Sequence, residues 1–227
     1  MIIAVVGSGG KTTLIKKLAA RYRSQGRTVF VTTTTHMFIE ENTLLTDDAD
    51  TIIGALRESG YAMAGVPDGT KIKALSKETF QAVCARADVV LVEADGSKQL
   101  PLKFPNASEP VIPEHTDEII VVCGLNSIGQ RAKDVCHRLE LVKQCLGIAD
   151  DTIITPAHVR TLVTEGYLRP LREAYPDKKI TRSPGMTVPR SKKPSQPCCK
   201  RNKKRPAETA GRFGRVGKAS SRLPSRG

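Results

Sequence analysis

The 227-residue chain has no tryptophan and only 4% aromatic residues, and it contains no run of about eighteen apolar residues, so no membrane span is expected. Its start, Met1-Ile2-Ile3-Ala4-Val5-Val6, has neither a basic leader nor a small-residue cleavage site, and reads as a buried strand instead of a signal peptide. A cytoplasmic protein is expected. None of the six cysteines forms a C-x-x-C pair, and His36, His115, His137 and His158 lack zinc-like spacing. That pattern argues against a structural zinc site and for reduced, mostly core-filling thiols. The adjacent Cys198 and Cys199 could bind metal or oxidise, but read as incidental.

What is present is the composition of a soluble domain, 39% hydrophobic and 26% charged, in a chain long enough to bury a core. The formal net charge of +13 is unevenly placed. Residues 183–227 carry thirteen Lys or Arg and a single acid, Glu208, leaving residues 1–182 with 23 basic and 22 acidic side chains. Residues 1–182 are therefore expected to form a nearly neutral domain, and residues 183–227 a basic tail. Six prolines and no recurring apolar face mean that the tail cannot offset its ordering entropy, so it is expected to be disordered. Clustered Lys and Arg would attract nucleic acid non-specifically. Phe213 is the tail's one aromatic, so base stacking is not supported.

Ile2 to Val6 is a short apolar run ending at glycine, the pattern of a buried parallel strand. Lys11 to Ser24 follows as a helix and Thr28 to Thr32 as a second strand, completing a βαβ unit. Thr51 to Ile53 and Tyr61 to Gly65 read as short strands, with a helical turn over Ile53 to Glu58. Ser76 caps a helix running to Ala87. Val89 to Val92 and Ile119 to Val122 are further strands. Apolar spacing predicts one helix over Arg131 to Leu146. Thr155 and Pro156 open another helix, which Gly166 ends. A short helix over Leu171 to Tyr175 and the opening of a strand at Lys178 to Thr181, not expected to develop because apolar periodicity stops at Arg182, complete the pattern. The expected fold is α/β, a P-loop three-layer sandwich around a mostly parallel sheet.

The chemistry concentrates at the end of the first strand. Gly7, Ser8, Gly9 and Gly10 supply small residues whose amides can point at phosphates, and Lys11, Thr12 and Thr13 open the helix behind them. Lys11 would reach the β- and γ-phosphates, and Thr12 would join the shell of Mg²⁺. The first glycine of the longer G-x-x-x-x-G-K-[ST] form is missing, since Val5 stands there, so the loop is a contracted G-x-x-G-K-T. It resembles the loop of Mur ligases and folylpolyglutamate synthetases. A glycine turn without ligand is the alternative, and the strand-to-helix context favours ATP or GTP. At the end of Val89 to Val92, Glu93 and Asp95 lie two apart, on one face of an extended chain, placed to hold Mg²⁺ and orient a nucleophile or substrate, the alternative being a solvated strand end before an Asp-Gly turn. Thr33, Thr34 and Thr35 close the second strand, where α/β sheets bind ligands. His36 serves equally as an acid or base or as a structural histidine. Lys98 and Lys103, in the proline-punctuated loop that follows, could meet a small anionic substrate or lie on the surface.

Five segments in this order, Gly7 to Thr13, Thr32 to Met37, Val92 to Lys98, Leu100 to Lys103 and Glu109 to Pro113, resemble the YqeC family. Its members are described as selenium-dependent hydroxylase accessory proteins or selenium cofactor biosynthesis proteins. The resemblance covers residues 1 to about 181. It implies a cytoplasmic nucleotide-dependent protein that helps mature selenium-containing molybdenum hydroxylases, with an apo-hydroxylase as partner. A cofactor-delivery chaperone gated by nucleotide, or a small-molecule kinase or ligase, is the alternative. After Thr181 the chain leaves the family pattern, which continues through a further strand and helices. The shift to Arg182-Ser183-Pro184-Gly185 reads as a frameshift or gene-prediction error.

Overall fold

The computed structural model describes residues 1–183; the basic tail from residue 184, with its expected disorder, lies outside the described residues. The elements run β1 Ile2–Gly7, α1 Lys11–Arg23, β2 Val29–Thr33, β3 His36–Phe38, β4 Thr43–Leu45, α2 Ala49–Ser59, β5 Tyr61–Asp68 and β6 Lys71–Lys73. They continue through α3 Lys77–Cys84, β7 Val89–Glu93, β8 Leu102–Lys103, β9 Glu118–Val122, α4 Ala132–Val135, β10 Cys136–His137 and α5 Leu139–Leu146. The last are α6 Pro156–Val163, α7 Arg169–Ala174 and β11 Lys179–Arg182, with a π-turn at Thr164–Leu168 joining α6 to α7.

The fold is α/β with a mostly parallel sheet. Its order is β11-β9-β1-β7-β2-β5-β6-β3, with β4 also against β5; the β5–β6 and β6–β3 pairs are antiparallel. Alternate strand residues point to opposite faces. Ile3, Val5, Val31 and Leu91 pack on Ile15 and Ala19 of α1. On the other face, Phe30 and Val90 meet Ile52 and Leu56 of α2 and Val83 of α3. Ala4, Val6 and Val121 meet Leu168 and Leu171 there. Because both faces are covered, the central strands read as unbroken apolar runs. A satellite cluster of Leu102, Val135, Val142, Ile154 and Leu162 gathers β8, α4, α5 and α6.

Four local expectations need correction. Thr51 to Ile53 is helix, because Asp48 accepts the Thr51 amide at 2.8 Å as an N-cap and Ile52 and Leu56 share a buried face. Arg131 to Leu146 is not one helix: the chain leaves it at Cys136–His137, which pairs with Leu102–Lys103, and Arg138 adopts left-handed φ of 60°. Gly166 does not end α6; the π-turn runs through it. Space there is tight: a Cβ would stand 3.0 Å from Pro105 Cδ. The strand glimpsed at Lys178 to Thr181 does develop, pairing in parallel with β9 over four residues. The caps at Ser76 and Thr155 are observed, each accepting the amide three residues on.

Candidate functional site: a glycine loop over a buried charge chain

β1 and β7 are neighbours, with Val5 opposite Glu93. The turn leaving β1 and the carboxylates leaving β7 therefore emerge together at the carboxyl edge of the sheet, where parallel sheets open to ligands. Gly7, Gly9 and Gly10 have φ of 98°, 70° and 120°. A Cβ on Gly7 would stand 2.0 Å from the Val122 carbonyl oxygen, so space and torsion both demand glycine. The Ser8 amide donates to Val122 at 3.0 Å and the Ser8 hydroxyl to the Pro101 carbonyl at 2.9 Å, pinning the loop to its neighbours. Behind it, α1 starts at Lys11 without a side-chain cap or an acid in its first turn. The amides of its first turn thus face outward at the positive end of the helix.

Lys11 is buried. Its Nζ donates to the Gly7 carbonyl at 2.8 Å and lies 3.3 Å from Asp95 Oδ1 and 3.7 Å from Glu93 Oε1. Thr12 Oγ1 donates to Glu93 Oε2 at 3.1 Å. Asp95 is fully enclosed and accepts from the Gly7 amide, from Tyr167 Oη at 3.0 Å and, by charge, from Lys103 at 3.3 Å. Lys103 continues to Glu109 and to the Gly96 carbonyl, and Glu109 to Arg138. Lys11, Asp95, Lys103, Glu109 and Arg138 thus alternate in sign beneath the loop. Among the described residues, no buried side-chain nitrogen or oxygen lacks a hydrogen-bond partner, as such networks require.

Burial raises the Glu93 carboxyl above its ordinary pKa, against the pull of the Lys11 charge and the Thr12 hydrogen bond, and the Asp95 charge adds to the rise. Burial also acts upward on Glu109, but the hydrogen bonds and charges of Arg138 and Lys103 prevail and hold it at about 2. The Tyr167 phenol is pushed well up by burial and by Asp95, so it remains a donor. Above the loop lies an open cleft of about 830 Å³. Gly9 to Thr13 form its floor. Thr35 to Phe38 and Lys71 form one wall, and Gly96 to Gln99, Glu109, His137 and Arg138 the other.

The family described as YqeC protein matches residues 3–140. The chain is also 32% identical over 171 residues to an uncharacterized protein YqeC of Escherichia coli (strain K12), an alignment covering 71% of this chain and 67% of that protein. The chain belongs to the YqeC family. The span matched to YqeC takes in the glycine loop, Glu93, Asp95, Lys103, Glu109 and Arg138, whereas Tyr167 reaches the same network from beyond it.

In this YqeC chain Gly9, Gly10, Lys11, Thr12, Thr13, Thr35, His36, Glu93 and Lys98 line the cleft. Gly7 and Ser8 shape the loop from beneath. The Thr33 hydroxyl donates to the Glu93 carbonyl at 2.8 Å and the Thr34 hydroxyl to the Val111 carbonyl at 2.7 Å, so both are tied to the framework. His36 is exposed, its Nε2 3.0 Å from Asp68. Glu93 faces the cleft with Thr12, while Asp95 lies below it, its oxygens engaged by Gly7, Tyr167, Lys11 and Lys103. Thr12 and Glu93 present hard oxygens of the kind Mg²⁺ takes alongside phosphate and water. Among the described residues no three His, Cys, Asp or Glu converge as a closed metal site. Lys103 is neither a surface lysine nor a cleft residue, being fully buried. Its setting between Leu102 and Phe104 was the one local sign of that. Nothing local points to Tyr167, which is 72 positions from Asp95. No helix of the described residues is long and apolar enough to cross a membrane.

Proposed function

We propose that this protein is a nucleotide-dependent accessory protein that binds ATP or GTP with Mg²⁺ at the glycine loop, in a P-loop-type domain, and serves the maturation of selenium-dependent molybdenum hydroxylases. The observation that carries the nucleotide reading is Lys11, held at the uncapped start of α1 with the Thr12–Glu93 pair beside it, on the floor of the cleft. The maturation role rests on the family resemblance. In this reading phosphate oxygens take the place of the Gly7 carbonyl as the acceptor of Lys11, and the first-turn amides of α1 receive the remaining negative charge. Thr12 and Glu93 would hold Mg²⁺, which neutralises phosphate charge when bound. Asp95 keeps the Gly7 amide and the loop in place. His36, oriented by Asp68 at the rim, is the acid or base for a small anionic second substrate.

The test is calorimetric titration of the full chain with ATP and with GTP in the presence of Mg²⁺. Saturable binding that falls about 100-fold in Lys11→Ala is expected, from the loss of charge-assisted hydrogen bonds. Undiminished affinity in Lys11→Ala, or no binding of either nucleotide by a chain with a folded circular-dichroism spectrum, would overturn the reading.

A further inference from the structure

The nucleotide reading assigns no role to the wall of the cleft formed by Lys98, His137 and Arg138. Its composition is one-sided: three basic side chains and one carboxylate, Glu109. Glu109 is already taken by Lys103 and by the Nη1 of Arg138. That contact orients the guanidinium and, among the described residues, leaves its Nη2 and Nε edge without an acceptor, a fork that can read planar or tetrahedral oxyanions. Lys98 forms no ion pair and the His137 ring no hydrogen bond among the described residues. The backbone reinforces the pattern. Of five non-glycine residues with positive φ among the described residues, Lys98 at 47°, Gln99 at 64° and Arg138 at 60° lie on this wall. Left-handed backbone at non-glycine residues is uncommon and gathers where side chains must be aimed.

We propose that Lys98, His137 and Arg138 form a second oxyanion subsite, separate from the glycine loop, for the phosphate or similar dianionic group of the second substrate. The inference rests on the nucleotide reading only in leaving this wall to a second substrate; the subsite itself needs no nucleotide. The field of the wall supports it. The His137 pKa is lowered first by partial burial and then by the charges of Arg138, Lys103 and Lys98, with Glu109 alone pulling it up. A dianion seated among these groups would offset the three cations and raise the His137 pKa.

The experiment is an NMR titration of the four histidine rings of the full chain, with sodium sulfate as the probe and chloride at matched ionic strength as the control. The His137 resonance is assigned with His137→Gln. A saturable rise of the His137 pKa, seen in the natural chain and retained in Lys11→Ala, is expected, with sulfate affinity reduced about tenfold in Lys98→Ala or Arg138→Gln. No rise at matched ionic strength overturns the subsite. So does a rise that disappears in Lys11→Ala and survives in Lys98→Ala, because the anion then sits on the glycine loop. The Lys98 side chain is exposed and makes no hydrogen bond or ion pair among the described residues, so its variant tests the subsite even where Arg138→Gln disturbs the fold. Sulfate binding at His137 without ATP or GTP binding would sink the nucleotide reading alone, and the reverse outcome the subsite alone.

Discussion

At Glu93 burial raises the carboxyl's proton affinity while Lys11 and Thr12 act against it. Two residues on, Asp95 is sealed off with four donors around it. The two acids therefore respond differently to amidation. Glu93→Gln should leave urea stability within about 1 kcal/mol while weakening Mg²⁺-dependent nucleotide binding about tenfold, as expected for one lost carboxylate ligand. Asp95→Asn should cost about 3–5 kcal/mol in the same denaturation, because it leaves Lys11 and Lys103 short of a buried counter-charge. An unchanged midpoint in Asp95→Asn would show that the network does not brace the loop. The raised Glu93 pKa also sets a direction with pH. If Glu93 holds Mg²⁺ as proposed, metal-assisted binding requires the carboxylate and should decline as pH falls through that raised value, at a higher pH than for an ordinary glutamate. Glu93→Gln should remove that decline.

At the scale of elements, the turns that differ from simple periodicity are places where another segment intrudes. The α6–α7 arm passes through Gly166 as a π-turn because Phe104 and Pro105 press against it, with Phe104 Cδ2 3.2 Å from where a Cβ would be. Gly166→Ala should therefore cost about 1 kcal/mol or more through overpacking. Gly54, inside α2 with nothing within 4 Å of a built Cβ and no positive φ, is the control. Gly54→Ala should stabilise by up to about 1 kcal/mol, because alanine has the higher helix propensity. Thermal and urea unfolding of the two variants should move in opposite directions. The split between α4 and α5 has a similar origin. Val135, Leu139, Val142 and Leu146 all face the satellite cluster, so their spacing looks continuous although the backbone turns away at Cys136–Arg138.

For the molecule as a whole, the charge chain joins the glycine loop, the loop from Gly96 to Pro113, β10 and the π-turn into one framework. Glu109 gives it a pH signature. Its pKa is depressed from 4.5 to about 2 in the folded chain. The stabilisation it contributes is therefore present above the unfolded value and is lost as pH falls from about 4.5 toward 2. This loss should be on the order of 2 kcal/mol in acid denaturation, and Glu109→Gln should flatten it. The thiols carry a second signature. Burial pushes Cys84 and Cys123 up to about 12 and Cys136 to about 11, so these three thiols are hardly ionised at neutral pH. Alkylation of Cys84, Cys123 and Cys136 at pH 8, followed peptide by peptide with mass spectrometry, should be slow in the native chain and should accelerate on unfolding in urea.

By itself the sequence determined the apolar strands β1, β2, β7 and β9, the glycine loop with its lysine and threonine, and the caps at Ser76 and Thr155. Each of these depends on a few adjacent residues: the torsions glycine allows, the run length of a strand covered on both faces, a side chain bonding an amide three positions on. Tertiary structure alone decided that Asp95 lies beneath the loop while Glu93 faces the cleft. It alone buried Lys103, tied Thr33 and Thr34 to carbonyls, and brought Tyr167 and Arg138 to carboxylates far away in the chain. The Arg138–Glu109 and Tyr167–Asp95 partnerships span 29 and 72 positions. They form only when the sheet order sets β7 beside β1 and the satellite cluster folds the later helices back over its edge. No local pattern encodes them, because the energy that holds a buried charge comes from whatever the fold places opposite it.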